Sequence, residues 1–291
     1  MILITGANGQ LGRATVGMLL KKIPAINIAV SVREPEKAKD LSAKGISVRQ
    51  GNFNNPDTLP KSLDGATTMV LISTSDAADK RAGQHKNAID AAKKAGVKHI
   101  VYTSLIHHPG KSPYHIVNNH LETEAHLLAS GLTYTIIREG LYLDYLPMML
   151  GDFNESKKIF YPAGSGKVSF VLRNDIAEGI VNILTSTGHE NKIYNFTPSN
   201  SYSFQDISKM LSELTTTSID YIDISLDAFA EGMRKYQVLE YVISLSAELA
   251  ALIKENALLK PDTQLETLLG RKPIDTKDFL IKTFQFIPTN N

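Results

Sequence analysis

Cysteine is absent from the 291 residues, which excludes disulfides, thiol catalysis and Cys-ligated zinc or iron–sulfur centres. An excess of charge of either sign is absent as well. Lys and Arg number 31 against 30 Asp and Glu, for a net charge of +1. That balance supplies no general field for holding nucleic acid or an anionic membrane, and the basic residues are scattered rather than run together. Long hydrophobic runs are missing too, since each apolar stretch falls far short of the roughly 18 residues a membrane-spanning helix needs. No secretory leader is read at the start, where Met1-Ile2-Leu3-Ile4 lacks a basic segment and runs straight into a glycine loop. The expectation is a cytoplasmic protein with neither nucleic-acid nor membrane partners. What is present is a globular composition, 43% hydrophobic and 21% charged, sized for one large domain or two intimate ones.

The first half alternates short β-branched runs with helical patterns. Strands are expected at 2–5, 28–32, 46–48, 69–72, 99–103 and 134–138. Between them lie helices at 10–22 (with Leu11, Ala14, Met18 and Leu19 on one face), from Pro35 to about Gly45, from Pro56 to Gly65, at 84–95 and at 117–129. Continuous apolar strands alternating with helices argue for α/β architecture, a doubly wound parallel sheet of Rossmann type. After Arg138 the rhythm breaks. A Leu-, Met- and Tyr-rich stretch follows from Gly140 to Gly151, then a Pro162–Gly166 loop, a helix at 175–184, a strand at 193–196 and a mostly helical remainder. The expected division is a dinucleotide domain over 1–140 with a return segment at about 167–190. A smaller, mostly helical C-terminal substrate domain takes 141–166 and 191–291. Thr263-Gln264-Leu265-Glu266 reads as a capping box, and Asn174 and Asp175 as caps of the helix that follows them.

The first strand leads into Gly6-Ala7-Asn8-Gly9-Gln10-Leu11-Gly12, which opens the first helix. Gly6 permits the tight turn, Gly9 removes a side chain where a pyrophosphate must approach, and Gly12 lets the helix lie close to the sheet. The helix N-terminus then offers N–H groups and partial positive charge to an anion. Strand before, helix after and a βαβ setting make this a dinucleotide-binding signal. An NAD site wants an acid at the end of the second strand. Ala29-Val30-Ser31-Val32 supplies none and Arg33 comes next, a guanidinium able to pair with a 2′-phosphate. NADP is therefore expected over NAD. Two alternatives stay open: Glu34 as the missing acid, and Arg33 as a solvated side chain. Because ligands of open α/β sheets lie outside the carboxyl ends of the strands, Asn52-Phe53, Ile72-Ser73-Thr74-Ser75 and Thr103-Ser104-Leu105 are placed near the cofactor. Each also suits an ordinary turn.

The glycine loop resembles a known family when taken with Val32-Arg33, Ala95-Gly96-Val97-Lys98-His99, Tyr102-Thr103-Ser104, His120-Leu121-Glu122-Thr123-Glu124 and Ser130-Gly131-Leu132-Thr133-Tyr134-Thr135. That family is the NmrA-like, atypical short-chain dehydrogenase/reductases. Within it the chain is most similar to type 2 NAD(P)H:quinone oxidoreductases, with triphenylmethane-dye reductases second. Leu268-Leu269-Gly270-Arg271-Lys272-Pro273 followed by Phe279 extends the likeness over nearly the whole length. The resemblance implies NADPH, a cleft between the two domains, and an approach of Leu141 and Tyr142 to the nicotinamide.

Ordinary short-chain dehydrogenases use Tyr-x-x-x-Lys, in which the lysine lowers the tyrosine pKa and the tyrosine protonates the developing alkoxide. No tyrosine here has Lys four residues on. Alignment on Ser130-Gly131 puts Ile116 at the Tyr position and His120 at the Lys position. A simple ketone would need the missing acid. A quinone taking hydride yields a phenolate-type base whose conjugate acid has a pKa of roughly 10, so proximity can carry most of the catalysis. The expected activity is NADPH-dependent reduction of quinones or similar conjugated acceptors, with His120 and Tyr142 as candidate catalytic residues. His120 also reads as a structural partner of Glu124. The competing functions are dye reduction and a non-catalytic redox sensor of the NmrA-like kind.

Five of the eight histidines fall in one stretch, at His107, His108, His115, His120 and His126. The last three do not share a helix face as four-apart metal pairs do, so no metal is expected. Tyr142, Tyr145, Met148, Met149, Phe153, Phe160 and Tyr161 read as an acceptor pocket or as core. A homodimer stays open, because a dimer helix and an amphipathic surface helix look alike in this sequence.

Overall fold

The structure, a computed structural model, describes residues 1–107, 110 and 112–286. The chain divides into two compact units. One comprises Met1–Leu105, Lys111–Glu139 and Arg173–Tyr194; the other comprises Ile106–Gly110, Gly140–Leu172 and Asn195–Asn291.

The first unit begins β1 (Ile2–Thr5), α1 (Gln10–Leu19), β2 (Ile28–Val32), α2 (Lys39–Ser42), β3 (Ser47–Gln50), α3 (Leu59–Leu63), β4 (Thr68–Leu71) and α4 (Ala78–Lys94). It continues with β5 (His99–Leu105), α5 (His115–Ala129), β6 (Thr133–Glu139) and, after an excursion into the second unit, α6 (Arg173–Leu184) and the first three residues of β7 (Lys192–Phe196). The sheet order is β7-β6-β5-β4-β1-β2-β3, and β1 to β6 pair in parallel. Their carboxyl ends therefore share one edge.

Alternation along the strands explains the two layers of cover. Leu3, Met69, Leu71, Ile100, Tyr102 and Ile136 pack with residues of α3, α4 and α5. The intervening Ile4, Val70, Val101 and Ile137 are buried as well, and α6 packs along α1.

The expected elements are present, with displaced boundaries. Helix α1 ends at Leu19, short of Lys22, and its buried face is Leu11, Thr15, Val16 and Leu19, with Ala14 and Met18 only half buried. Helix α4 starts at Ala78, not Gln84. Its first six residues carry no apolar period, and the Asp76 carboxylate accepts the Ala77 N–H at 2.9 Å where the chain enters it. Strand β4 ends one residue early, at Leu71. Asn174 and Asp175 lie inside the first turn of α6 rather than before it.

The second unit holds the helices Phe204–Thr215, Leu226–Lys235, Glu240–Lys254, Gln264–Leu269 and Thr276–Phe284. Three short strand pairs accompany them, Leu141–Tyr142 with Phe170–Val171, Lys167–Val168 with Tyr202–Ser203, and Lys158–Phe160 with Asp220–Ile222. The capping box expected at Thr263 does not form, since that side chain caps nothing. Asp262 Oδ1 takes the Thr263 and Gln264 N–H groups instead, at 2.7 and 3.0 Å. A capping box does form at Ser203 and Asp206. Among the described residues no helix is long and apolar enough to cross a membrane.

Candidate active site

The turn from β1 into α1 is built around its glycines. Gly6 has φ +64°, a left-handed backbone that a Cβ disfavours. A Cβ on Gly12 would stand 2.4 Å from the Gly6 carbonyl oxygen and 2.7 Å from the Ala7 Cα, so only hydrogen fits there. Gly9 is the N-cap of α1, no side chain caps the helix, and its first turn holds no acid. Neither a capping oxygen nor a carboxylate competes with an incoming anion for the first N–H groups. Gln10 Oε1 accepts from Arg173 Nη1 at 2.8 Å. This contact joins the loop to the first residue of α6, and nothing in the sequence announced it. Asn8 Nδ2 donates to the Glu34 carbonyl at 3.1 Å. Arg13 pairs with Asp40 at 2.5 Å and donates to the Lys37 carbonyl, so the loop is laced to the segment after β2.

Strand β2 ends at Val32, so Arg33 is the first residue beyond it and is exposed. Glu34 is exposed too, with Lys37 Nζ 2.9 Å from its Oε1. That hydrogen bond and the lysine charge hold its carboxyl below the ordinary range.

Past β3, Asn52 forms a self-contained turn: its N–H donates to Thr58 Oγ1 at 2.9 Å and its Oδ1 accepts from the Asn54 N–H at 3.0 Å. The Phe53 carbonyl accepts from Asn87 Nδ2 at 2.9 Å. Past β4, Ile72 reaches Gly6, whose Cβ position lies 3.4 Å from the Ile72 Cβ. The N–H groups of Ile72, Ser73 and Thr74 donate to Thr5 Oγ1, Thr103 Oγ1 and His85 Nε2 at 3.0, 2.9 and 3.0 Å. Ser75 follows, exposed. At the end of β5, Thr103, Ser104 and Leu105 are buried. Ser104 Oγ donates to Glu124 Oε1 at 2.6 Å, and Arg138 grips both oxygens of that buried carboxylate at 3.1 and 2.6 Å. The parallel register thus brings the residues from Gly6 to Leu105 that were expected near a cofactor to one edge of the sheet.

His120 is buried on α5, with Nδ1 2.7 Å from the Tyr102 hydroxyl. Burial pushes the Tyr102 hydroxyl far above the ordinary phenol range, so it keeps its proton. Beyond β6, in the second unit, Leu141 is buried and Tyr142 half buried, its ring tilted against Tyr145 at 5.7 Å. Of the apolar cluster expected there, Phe153 and Tyr161 are core: Tyr161 stacks on Phe204 at 4.3 Å and Phe153 meets Phe284 edge-on at 5.1 Å. Met148, Phe160 and Tyr145 are exposed.

Sequence reasoning missed His85, which stands outside the histidine-rich stretch. Its Nε2 accepts from Thr74, so the ring is neutral with the hydrogen on Nδ1, which donates to Thr123 Oγ1 at 2.9 Å. Burial and the charge of Arg81 lower its pKa to about 3. Among the described residues no group of three or more His, Asp or Glu is placed to hold a metal ion. His126 pairs with Asp90 at 2.7 Å, and His108 lies outside the described residues.

A family model described as NAD(P)H-binding matches residues 6–187. The chain belongs to the NAD(P)H-binding family. Its cofactor is accordingly a nicotinamide dinucleotide, and the uncapped start of α1 with the Gly6, Gly9 and Gly12 cradle fits the pyrophosphate of one. The NmrA-like kinship expected from the motifs holds across the chain. Quinone oxidoreductase 2 of Escherichia coli (strain K12) is 33% identical over 270 residues, 93% of this chain and 94% of that protein. The solved structure of an Escherichia coli NADPH-dependent quinone oxidoreductase complexed with NADPH is 32% identical and superposes with a TM-score of 0.89, covering 98% of this chain and 100% of that one. The Citrobacter sp. triphenylmethane reductase complexed with NADP(H) is also 32% identical with a TM-score of 0.89, covering 97% and 99%.

Proposed function

We propose that this NAD(P)H-binding protein is an NADPH-dependent reductase that delivers hydride to quinones or similar conjugated acceptors. The observation that carries the proposal is the content of α5. Where a Tyr-x-x-x-Lys enzyme holds its acid, α5 has Ile116 and His120, both buried, with His120 engaged by Tyr102. A site without that acid suits an acceptor whose reduced form is a weakly basic phenolate, not an alkoxide. The whole-length likeness to a quinone oxidoreductase supports the same acceptor class.

Bound NADPH supplies the hydride. The start of α1 holds its pyrophosphate through N–H groups, with Gly9 and Gly12 keeping side chains out of the way. Arg33 takes the 2′-phosphate. Its place directly after β2 supports NADPH over NADH, as does the engagement of the rival acid Glu34 by Lys37. Ile72 to Ser75, Asn52 and Phe53 border the cofactor. The second unit, which carries Leu141 and Tyr142, serves as the substrate-binding domain. His120 orients Tyr102. Triphenylmethane-type dyes are a second acceptor class, favoured by the likeness to the Citrobacter enzyme.

Mixing the protein with NADPH and a panel of benzoquinone, a naphthoquinone and a triphenylmethane dye tests this. Loss of the dihydronicotinamide absorbance should be acceptor-dependent and exceed a protein-free control, with quinones the faster class. Saturable NADPH binding without turnover on any of the three would replace this reading with the non-catalytic sensor.

A further inference from the structure

Three consecutive backbone N–H groups after β4 are each caught by a buried side chain from a different element. Thr5 comes from β1, Thr103 from β5 and His85 from α4, and all three are at most 1% exposed. The acceptors are themselves fixed. Thr5 spends its hydroxyl proton on the Val70 carbonyl at 3.1 Å, so only a lone pair is left for Ile72. His85 spends its Nδ1 hydrogen on Thr123, whose hydroxyl donates in turn to the Asn119 carbonyl at 2.7 Å. Thr74 gains a further tie from its own hydroxyl, which donates to Gln84 Oε1 at 2.7 Å, while Gln84 Nε2 donates to Asp76 and Asn54.

In a planar trans peptide the N–H and the preceding C=O point opposite ways, and among the described residues no peptide bond is cis. Drawing the N–H groups of Ser73 and Thr74 inward therefore turns the carbonyl oxygens of Ile72 and Ser73 outward. The two turns at this edge of the sheet consequently have opposite polarity. The glycine loop offers donors, and the Ile72–Thr74 turn offers acceptors.

We propose that Thr5, Thr103 and His85 are positioning residues that fix this polarity, so that the turn after β4 binds the hydroxyl donors of the cofactor's sugars rather than its phosphates. This rests on the NADPH reading above. Histidine suits the task because one ring accepts and donates in opposite directions without a flexible chain between. Glutamine can do the same with its carboxamide, and leucine cannot. Thr103→Val removes the second anchor at constant shape, whereas Thr103→Ser keeps it.

The test uses the full chain and its His85→Leu, His85→Gln, Thr103→Val and Thr103→Ser variants, each checked by circular dichroism and thermal unfolding. NADPH is titrated by its own fluorescence at several salt concentrations, and KM and kcat are measured with one saturating quinone. Losing an anchor leaves a buried N–H unpaired and lowers the fraction of molecules with the turn in place, so apparent NADPH affinity should fall roughly five- to fiftyfold. KM should carry most of that loss and kcat little of it. The Gln and Ser variants should stay within about threefold of the wild type, on the same estimate with the hydrogen bond retained. The salt dependence should be unchanged, since no phosphate contact is lost.

A folded Thr103→Val or His85→Leu protein that binds NADPH as the wild type does would overturn the proposal. Equal losses in the conservative and disruptive variants, or a flattened salt dependence, would overturn it too. A wild-type chain giving no saturable titration would remove the NADPH reading itself, and this proposal with it.

Discussion

Replacing Gly12 by Ala and, separately, Gly17 by Ala adds the same methyl group at two places on one helix. At Gly17, exposed on α1, a Cβ meets nothing within 4 Å. Alanine there should stabilise the protein by about 1 kcal/mol, the ordinary helix preference over glycine. Gly12 earns the same preference but sets the methyl 2.4 Å from the Gly6 oxygen and 2.7 Å from the Ala7 Cα. Both neighbours are backbone, so helix and loop must move apart, and overpacking of this kind costs about 1–3 kcal/mol. The two variants should therefore differ by that amount in urea unfolding, with unchanged denaturant slopes. The displaced loop leads into the α1 N–H groups proposed to receive the pyrophosphate. Gly12→Ala should accordingly weaken NADPH binding by about tenfold or more, since each 1.4 kcal/mol of misfit is a factor of ten, and Gly17→Ala should leave it alone. Equal stability changes in the two variants, or a Gly12→Ala protein with native affinity, would refute the close-approach argument.

Two further outcomes are expected. Arg33→Ala should raise KM for NADPH at least about tenfold while leaving NADH nearly untouched, because a lost guanidinium–phosphate pair is worth about 1.5–3 kcal/mol; equal effects on the two coenzymes would count against a 2′-phosphate site. His85 should make the fold acid-sensitive. The unfolded chain takes up a proton below the ordinary value of 6.5, whereas the folded ring resists down to about 3. Across that window the unfolded state binds more protons, so stability falls as pH drops, by about 2 kcal/mol between pH 7 and pH 5. Denaturant titrations of the wild type and His85→Gln should diverge by that much over this range, and parallel pH profiles would show that His85 is not held neutral.

Much of the first unit was legible because most of its strands carry an apolar run and its turns carry Gly and Pro; β3, Ser47–Gln50, is the exception, with no buried residue. The glycine loop was readable as a site because each glycine answers a local geometric demand. Helix starts were harder to read. Ala78 to Gly83 carry no apolar stripe, and no side chain caps their helix. Pattern also fails where a residue has a stronger claim elsewhere: Gln264, in the expected capping box, accepts the Asn195 N–H at 2.7 Å while Asp262 takes over the cap. The supports of the site were invisible for a simpler reason. Arg173 meets Gln10 across 163 positions, and Thr103 meets Ser73 across 30. Such pairs follow from strand order, not from local spacing. His120 shows the same limit, since the Tyr102 hydroxyl it meets sits on the neighbouring strand.

The return of the chain from the second unit into the first has a consequence for biosynthesis. The sheet is missing its β7 edge, and α1 its covering helix α6, until residues 173–194 have been made. At about 5–20 residues per second, the ribosome needs several seconds to pass from the end of β6 to the end of α6. Throughout that interval a nascent chain displays the side of its first helix that α6 later covers, and the guanidinium that steadies Gln10 has yet to emerge. A fragment ending at Glu139 would keep that exposure permanently, which makes the N-terminal half alone a substrate for chaperones and proteases.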